Sequence, residues 1–256
     1  MKNLAVLTLN TQKAYQPGFG PFMHGVLASQ RYDFLLLQEA NATVMSIISG
    51  ADHSYAVLHP FDADLGADTG VCILYKKEFI LKDILFTSFA KTNPAMPARG
   101  WGFVGGLFTV DGGDMLVGSV HLHSGIKISI RRKEIRMIKE KISHYGNNTP
   151  VIVAGDFNTG FPGEIFTIDN MFLPDFVRSS KNIGTTLDSR YTEKSSFLLN
   201  RVNSFFAHLG ISFKFRTDHV YVDVHTMQNH HISCKTLPDR VSDHMAVEVV
   251  IALDLV

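Results

Sequence analysis

Asp156 and Asn158 stand in the tetrapeptide Gly155-Asp156-Phe157-Asn158, directly after the apolar run 151–154. A buried strand that ends in this way lifts a carboxylate and an amide together to the rim of a sheet. Such a pair can position a water and hold a phosphate oxygen beside it. Asp and Asn also make ordinary Asx turns, so the pair gains meaning from its company. Polar groups close or open other apolar runs in the same fashion. Asn10 ends 4–9, Glu39 follows Leu35-Leu36-Leu37-Gln38, and His121 ends 115–120; Asp218 opens 218–224, and Ser242-Asp243-His244 precedes 245–253.

These residue types suit one kind of chemistry. Glu39, helped by Asn10 and Asp243, offers hard oxygen ligands of the kind magnesium or manganese prefers. A hard divalent ion neutralises a phosphoryl oxygen and stabilises charge on a leaving group. Asp156 can polarise or deprotonate a water, while Asn158 donates to a phosphoryl oxygen. His244 needs an orienting carboxylate, and Asp218 is the available partner. His121 supplies a second imidazole as phosphate ligand or proton donor. Together the parts describe hydrolysis of a phosphate ester. Structural readings stand beside these: Glu39 as an acid at the start of a helix over 41–49, Asp218 as a turn residue opening a strand.

The elements that must position these groups follow from periodicity. Short β-branched runs recur at 4–9, 33–37, 54–58, 71–75, 79–86, 102–110, 115–120, 150–154, 211–215, 218–224 and 245–253, separated by Gly, Pro and Asp/Asn clusters. Helical spacing is clearest over 129–145 and recurs over 195–209, with weaker helices at 21–31 and 41–49. So many strands with interposed helices predict two packed sheets flanked by helices, an α+β or α/β sandwich. The expectation is one domain over 1–256. The unit 115–120, helix, 150–154 has the length of a crossover between parallel neighbours, which would bring His121 near Asp156.

Composition narrows the class. The 256 residues carry 24 Lys+Arg and 24 Asp+Glu, so attraction to phosphate must be local rather than a property of the whole surface. Cys72 and Cys234 read as small core residues, not a disulfide framework. No apolar stretch reaches the length of a membrane span, and the expectation is a soluble, cytoplasmic protein in a reducing compartment with no protein partner.

The ordered set Asn10, Gln38-Glu39, His121-Leu122, Gly155-Asp156-Phe157-Asn158, Thr217-Asp218-His219 and Ser242-Asp243-His244 resembles the endonuclease/exonuclease/phosphatase superfamily. That superfamily includes deoxyribonuclease I, exonuclease III-type repair nucleases, deadenylases, sphingomyelinases and inositol polyphosphate 5-phosphatases. The resemblance runs from residue 4 to 251. It implies a four-layered α/β sandwich with two packed, mostly antiparallel sheets flanked by helices, a magnesium (or manganese) ion at Glu39, a catalytic dyad of His244 with Asp218, Asp156 and Asn158 at the scissile phosphate, and His121 contacting it. Three positions depart from the family pattern: Leu9-Asn10-Thr11-Gln12, where Gln12 is a poorer metal ligand than a carboxylate; Ser119-Val120 before the first His; and Glu134 where Arg-x-x-Gln is usual.

Arg131 falls on the apolar face of its helix with Ile135, Ile138 and Ile142, which suits a structural ion pair or, more sharply, a substrate contact. His123 reads as a site-edge or surface residue, since no third ligand at zinc-like spacing accompanies it and His121. His225, His230 and His231 read as exposed loop, and Asp62, Asp64 and Asp68 as a solvated turn. The stretch 87–101, with Arg99 and Trp101, has the composition of a substrate-contacting loop; Arg99, Arg131 and Asn10 are the substrate-binding candidates. The leading reading is a metal-dependent phosphodiesterase, with nucleic acid the favoured substrate. Its rivals are a phosphatase or phosphodiesterase acting on a phospholipid, inositol phosphate or small metabolite, a zinc enzyme, and a non-catalytic phosphate-binding member of the fold.

Overall fold

The computed structural model describes residues 2–59, 69–89, 92, 101–124, 127–145, 149–159, 162–183, 186–188, 214–239 and 241–253. Two six-stranded sheets form its centre. The first holds, in spatial order, β13 (His231–Thr236), β14 (Val247–Leu253), β1 (Lys2–Asn10), β2 (Phe34–Asn41), β4 (Thr69–Lys76) and β3 (Tyr55–Leu58). The second holds β5 (Ile80–Ser88), β6 (Gly102–Val110), β7 (Gly113–His121), β8 (Val151–Asp156), β12 (Asp218–Asp223) and β9 (Phe176–Arg178). A two-stranded ribbon pairs β10 (Leu187–Asp188) with β11 (Lys214–Phe215). Pairing is antiparallel except for β1 with β2 and β7 with β8.

Both faces of the central strands are buried, so their side chains alternate between two apolar environments. Leu4 and Val6 of β1, Phe34 and Leu36 of β2, Val117 of β7, Ile152 and Ala154 of β8, and Val220 and Val222 of β12 share one core cluster, which is the seam between the sheets. Leu7, Leu9, Leu35 and Leu37 point the other way and meet Phe19, Met23 and Leu27 of α1 (Phe19–Ser29) and Val44 and Ile48 of α2 (Ala42–Ser49). On the far side, Leu116, Val120 and Val153 meet Ile135, Ile138 and Ile142 of α3 (Ile128–Ser143) and Ile168 and Phe172 of α4 (Pro162–Phe172). The result is helix, sheet, sheet, helix, the four layers expected. Each such side chain contributes about 1.5–3 kcal/mol on burial, so the seam outweighs any local preference of a strand.

The crossover from β7 through α3 to β8 joins parallel neighbours, and its register sets His121 against Asp156. Five of the strands and α-helices escaped the sequence reading: α4, β9, β10, β13 and a short α5 (Val224–Asn229). β13 is an edge strand of alternating exposure, which lacks the continuous apolar run that marks a central strand. α4 did leave a trace, since Ile165, Ile168 and Phe172 recur at helical spacing after Pro162. His225 and His231 are exposed as expected but lie on α5 and β13, not in a loop. The helix expected over 195–209 and the turn at Asp62, Asp64 and Asp68 lie outside the described residues. No helix among the described residues is long and apolar enough to cross a membrane.

Gly155 is the tightest point of this framework. Its φ is +148°, and a Cβ there would sit 2.0 Å from the Val120 carbonyl oxygen of β7 and 3.0 Å from Nε2 of Gln38, which reaches over from the other sheet. Only glycine allows the backbone of β8 to pass. Gly155→Ala should therefore destabilise the protein by roughly 3 kcal/mol or more. Gly25→Ala, on the exposed face of α1 with nothing near the new methyl group, should be neutral or gain about 0.5–1 kcal/mol. Urea unfolding of the two variants checks the contrast; equal stabilities would contradict this account of Gly155.

Candidate active site

Strand parity aims the polar strand ends into the seam. Asn10 follows Leu4 and Val6 at even spacing, His121 follows Met115 and Val117, Asp156 follows Ile152 and Ala154, and Asp218 precedes Val220 and Val222. All four therefore project between the sheets at one rim. Register reinforces the convergence: His121 and Asp218 flank Asp156 on neighbouring strands, and Asn10 lies beside Gln38.

Glu39 would by parity turn away towards α1 and α2. A bulge prevents this. Between the pairs Leu37–Cys72 and Ala40–Gly70 the strand β2 carries one extra residue, and Glu39 adopts a left-handed φ of 53°. Its carboxylate thereby reaches Asn10, whose Nδ2 donates to Glu39 Oε1 at 3.1 Å and to Asp156 Oδ2 at 3.0 Å. The Oδ1 of Asn10 accepts from the Gln12 backbone N–H at 3.0 Å, which fixes the amide orientation. Asn10 thus orients two acids through its amide nitrogen, while its oxygen faces the Gln12 backbone N–H.

Asp156 Oδ2 is the meeting point. Besides Asn10 it has His121 Nε2 at 3.6 Å and His244 Nε2 at 3.7 Å. Its other oxygen accepts from the Asn158 backbone N–H at 2.8 Å, an Asx turn that accommodates the left-handed φ of 50° at Asn158. The Asn158 side chain donates to the Leu122 carbonyl at 2.7 Å, leaving its second amide hydrogen for another acceptor. His244 Nδ1 and Asp218 Oδ2 are 2.8 Å apart. Asp243 lies alongside, with Oδ1 3.9 Å from His244 Nε2.

The electrostatics follow from burial. Desolvation raises Asp156 to about 6, against the pull of His244. His244 would be lowered by its burial, but Asp218, Asp156 and Asp243 outweigh that and hold it well above its ordinary value. Asp218, although buried, is held low by the His244 charge and by hydrogen bonds from His244, Thr186 and Thr217. His121 is pushed down to about 4 by burial despite Asp156. Burial, with repulsion from Glu39, raises Asp243. Acids that repel one another in a desolvated rim would suit a hard cation, for which Glu39 and Asp243 carry carboxylate oxygens. Asp156, Asp218 and His244 also present ligand atoms within 4.8 Å of one another. Within that group Asp218 Oδ2 and His244 Nδ1 are in direct contact at 2.8 Å.

Several further residues hold these groups in place. Ser242 Oγ accepts from the His244 backbone N–H and approaches Asp243 Oδ1 at 3.1 Å. Gln12 Oε1 accepts from the Asp243 backbone N–H, tying the turn after β1 to the turn before β14. Thr186 Oγ1 accepts from the backbone N–H groups of both Thr217 and Asp218. Thr186 has no sequence signal beyond its polarity.

Arg131 and Glu134 did carry a signal, as charged residues on an otherwise apolar helix face. Glu134 Oε2 accepts from the His123 backbone N–H at 3.0 Å, and Arg131 Nη1 donates to the His123 carbonyl at 3.3 Å. One turn of α3 thus holds both backbone groups of a residue just past His121. Arg131 also meets Glu164 at 2.5 Å and is fully buried, which is the structural ion pair that its inward face suggested. His123 is buried with its ring against Trp101, not on the surface. Arg99 lies outside the described residues.

A model of the Endonuclease/Exonuclease/phosphatase family matches residues 8–244, and the chain belongs to that family. Among solved structures, TDP2 of D. rerio complexed with a single-strand DNA product aligns at a TM-score of 0.74 and 15% identity, covering 98% of this chain and 100% of that one. A family protein from Bacteroides thetaiotaomicron aligns at 0.71 and 19% identity over 99% of both chains. The mannosyl-6-phosphatase of the same bacterium aligns at 0.71 and 18%, over 98% of this chain and 100% of that one. No curated protein matches the sequence significantly. Members of the family are hydrolases of phosphoesters and depend on a divalent metal.

Directly behind the site, His219 packs fully buried with Nε2 2.7 Å from Thr159 Oγ1. Burial, together with Arg178 and Arg216, lowers its pKa to about 3. The unfolded chain binds a proton on this residue below about 6.5, which the folded chain refuses until about 3. Stability is therefore lost as pH falls through that window, by about 1.4 kcal/mol per pH unit from this group. Urea midpoints between pH 7 and 4.5 should fall less steeply for His219→Gln than for the wild type. Parallel curves would contradict a neutral buried His219.

Proposed function

We propose that this chain is a divalent-metal-dependent phosphoesterase that hydrolyses a phosphodiester by in-line attack of water, most favourably a nuclease. The observation that carries the reading is the convergence on Asp156 Oδ2 of Asn10, His121 and His244, with Glu39 joined through Asn10. A hard cation, magnesium or manganese, held by Glu39 and Asp243 would neutralise phosphoryl charge and stabilise the leaving oxygen.

The remaining work falls to the chain's own groups. Asp156 and the His244–Asp218 dyad share the proton of the attacking water, with Asp218 fixing the imidazole so that Nε2 faces Asp156. Asn158, through its uncommitted amide hydrogen, and His121 hold phosphoryl oxygens. Asn10 keeps Glu39 and Asp156 in register with one another, so that ligand and base stay a fixed distance apart. These donors are fixed before any substrate arrives, which is what makes them effective in a dry site.

Nucleic acid is the favoured substrate class, supported by the fold shared with a DNA-product complex of TDP2. A small sugar phosphate is the second reading, supported by the equally complete alignment with a mannosyl-6-phosphatase and by the zero formal charge of the chain.

Hydrolysis of bis(p-nitrophenyl) phosphate should vanish with EDTA and return with magnesium or manganese. Asp156→Asn and His244→Ala should each lower kcat by about 100-fold or more. Undiminished kcat in either variant contradicts the assignment. Side-by-side turnover of plasmid, single-stranded DNA, RNA, inositol phosphates, sphingomyelin and hexose phosphates decides between the substrate readings; dominance of a hexose phosphate would replace the first by the second. Tight binding of all of them without turnover would mark a non-catalytic member.

A further inference from the structure

The exposed side of α3 carries charge that its own helix does not need. Lys127, Arg132, Lys133 and Arg136 are all exposed, and none is ion-paired among the described residues. The first turn of α3 has no acid, and Lys127, at the position before the first turn, makes no side-chain cap. Cations at this end of a helix oppose its dipole, and Arg132 and Arg136 are spaced four apart, where like charges destabilise. Glu140, one turn beyond Arg136, is the exposed acid of the helix and pairs with neither. In a chain with 24 acidic and 24 basic residues, this local excess of positive charge is concentrated, not an echo of the whole.

Its position is fixed relative to the site. β7 ends at His121 on the rim, and α3 starts from the same rim, where Arg131 and Glu134 grip the backbone of His123. Arg131 and Glu134 face inward, so Arg132, Lys133 and Arg136 necessarily face out on the same two turns. From Ile128 to Arg136 the helix rises about 12 Å, the reach of a few consecutive nucleotides.

We infer that the first half of α3 is a docking strip for the phosphates of a nucleic-acid strand that continues from the scissile position across the rim. The inference rests on the phosphodiesterase reading above and adds to it the partner surface. Arg132, Lys133 and Arg136 act there as phosphate contacts that strengthen binding without reading sequence. They take no part in the reaction itself, and a small phosphodiester does not reach them.

The test compares wild type with the triple variant Arg132→Gln, Lys133→Gln, Arg136→Gln, whose positions are exposed and leave the core untouched. Three readouts are needed: bis(p-nitrophenyl) phosphate turnover, kcat/KM on single-stranded oligonucleotides of increasing length, and anisotropy of a labelled oligonucleotide with EDTA-treated protein over a salt series. The small substrate should be unaffected. On long oligonucleotides the variant should lose about tenfold or more, and its slope of log affinity against log salt should be shallower by about 2. An unchanged salt slope, equal losses on small and long substrates, or no oligonucleotide binding by the wild type would each overturn the strip. If the wild type binds oligonucleotides through these residues yet cleaves none, the strip stands and the nuclease reading falls. If it cleaves them and the variant does so equally well, the nuclease reading stands and the strip falls.

Discussion

The arrangement depends on keeping the carboxylate of Asp156 buried. A lone carboxylate in such surroundings is expensive, and here it is relieved from three sides by the Asn10 amide and the imidazoles of His121 and His244. Each of those comes from a different strand end or turn, so the two sheets must be packed in one register for any of them to arrive. The apolar seam beneath supplies that register, and Gln38 extends it with an amide from the first sheet that meets Ser119 of the second. Fold and site are in this sense one structure: slip a strand by one residue and the polar end turns out of the seam.

Backbone strain gathers where the polar ends meet. Glu39 and Asn158 are left-handed, and so are Gln12, Lys13 and Ala14 in the turn after β1. Non-glycine residues in that region cost about 1–3 kcal/mol each when unsupported. Three of the five are held by their surroundings: Glu39 by the bulge of β2, Asn158 by the Asx turn of Asp156, and Gln12 by the Asn10 oxygen and the Asp243 backbone N–H. The core contributes the stability and the rim uses some of it to aim side chains.

Much of this was legible in the amino-acid order. A polar residue at the end of an apolar run says that a strand has reached a rim, and the length of the segment between His121 and Asp156 says that the two strands are parallel neighbours. The crossover therefore appeared as expected. The orientation of Asn10 was not legible, because one residue type can serve as oxygen ligand or as donor, and it is the Gln12 backbone N–H that orients the amide. The bulge at Glu39 was equally hidden, since an extra residue in a strand leaves no mark on composition. Arg131 could be placed on the inward face but not assigned a partner, because Glu164 comes from a helix that periodicity had not identified. Thr186 and Ser242 serve by accepting hydrogen bonds from backbone N–H groups, and spacing carries no record of those.

The central claim is that a hard divalent cation sits against Glu39 while Asp156 and the His244–Asp218 pair remain free to handle a proton. Anomalous diffraction from crystals soaked in manganese and inorganic phosphate tests it most directly. The account predicts manganese density on the carboxylates of Glu39 and Asp243, with the phosphate within hydrogen-bond reach of Asn158 and His121. Density between Asp218 and His244 instead, or a phosphate bound away from this rim, would contradict it.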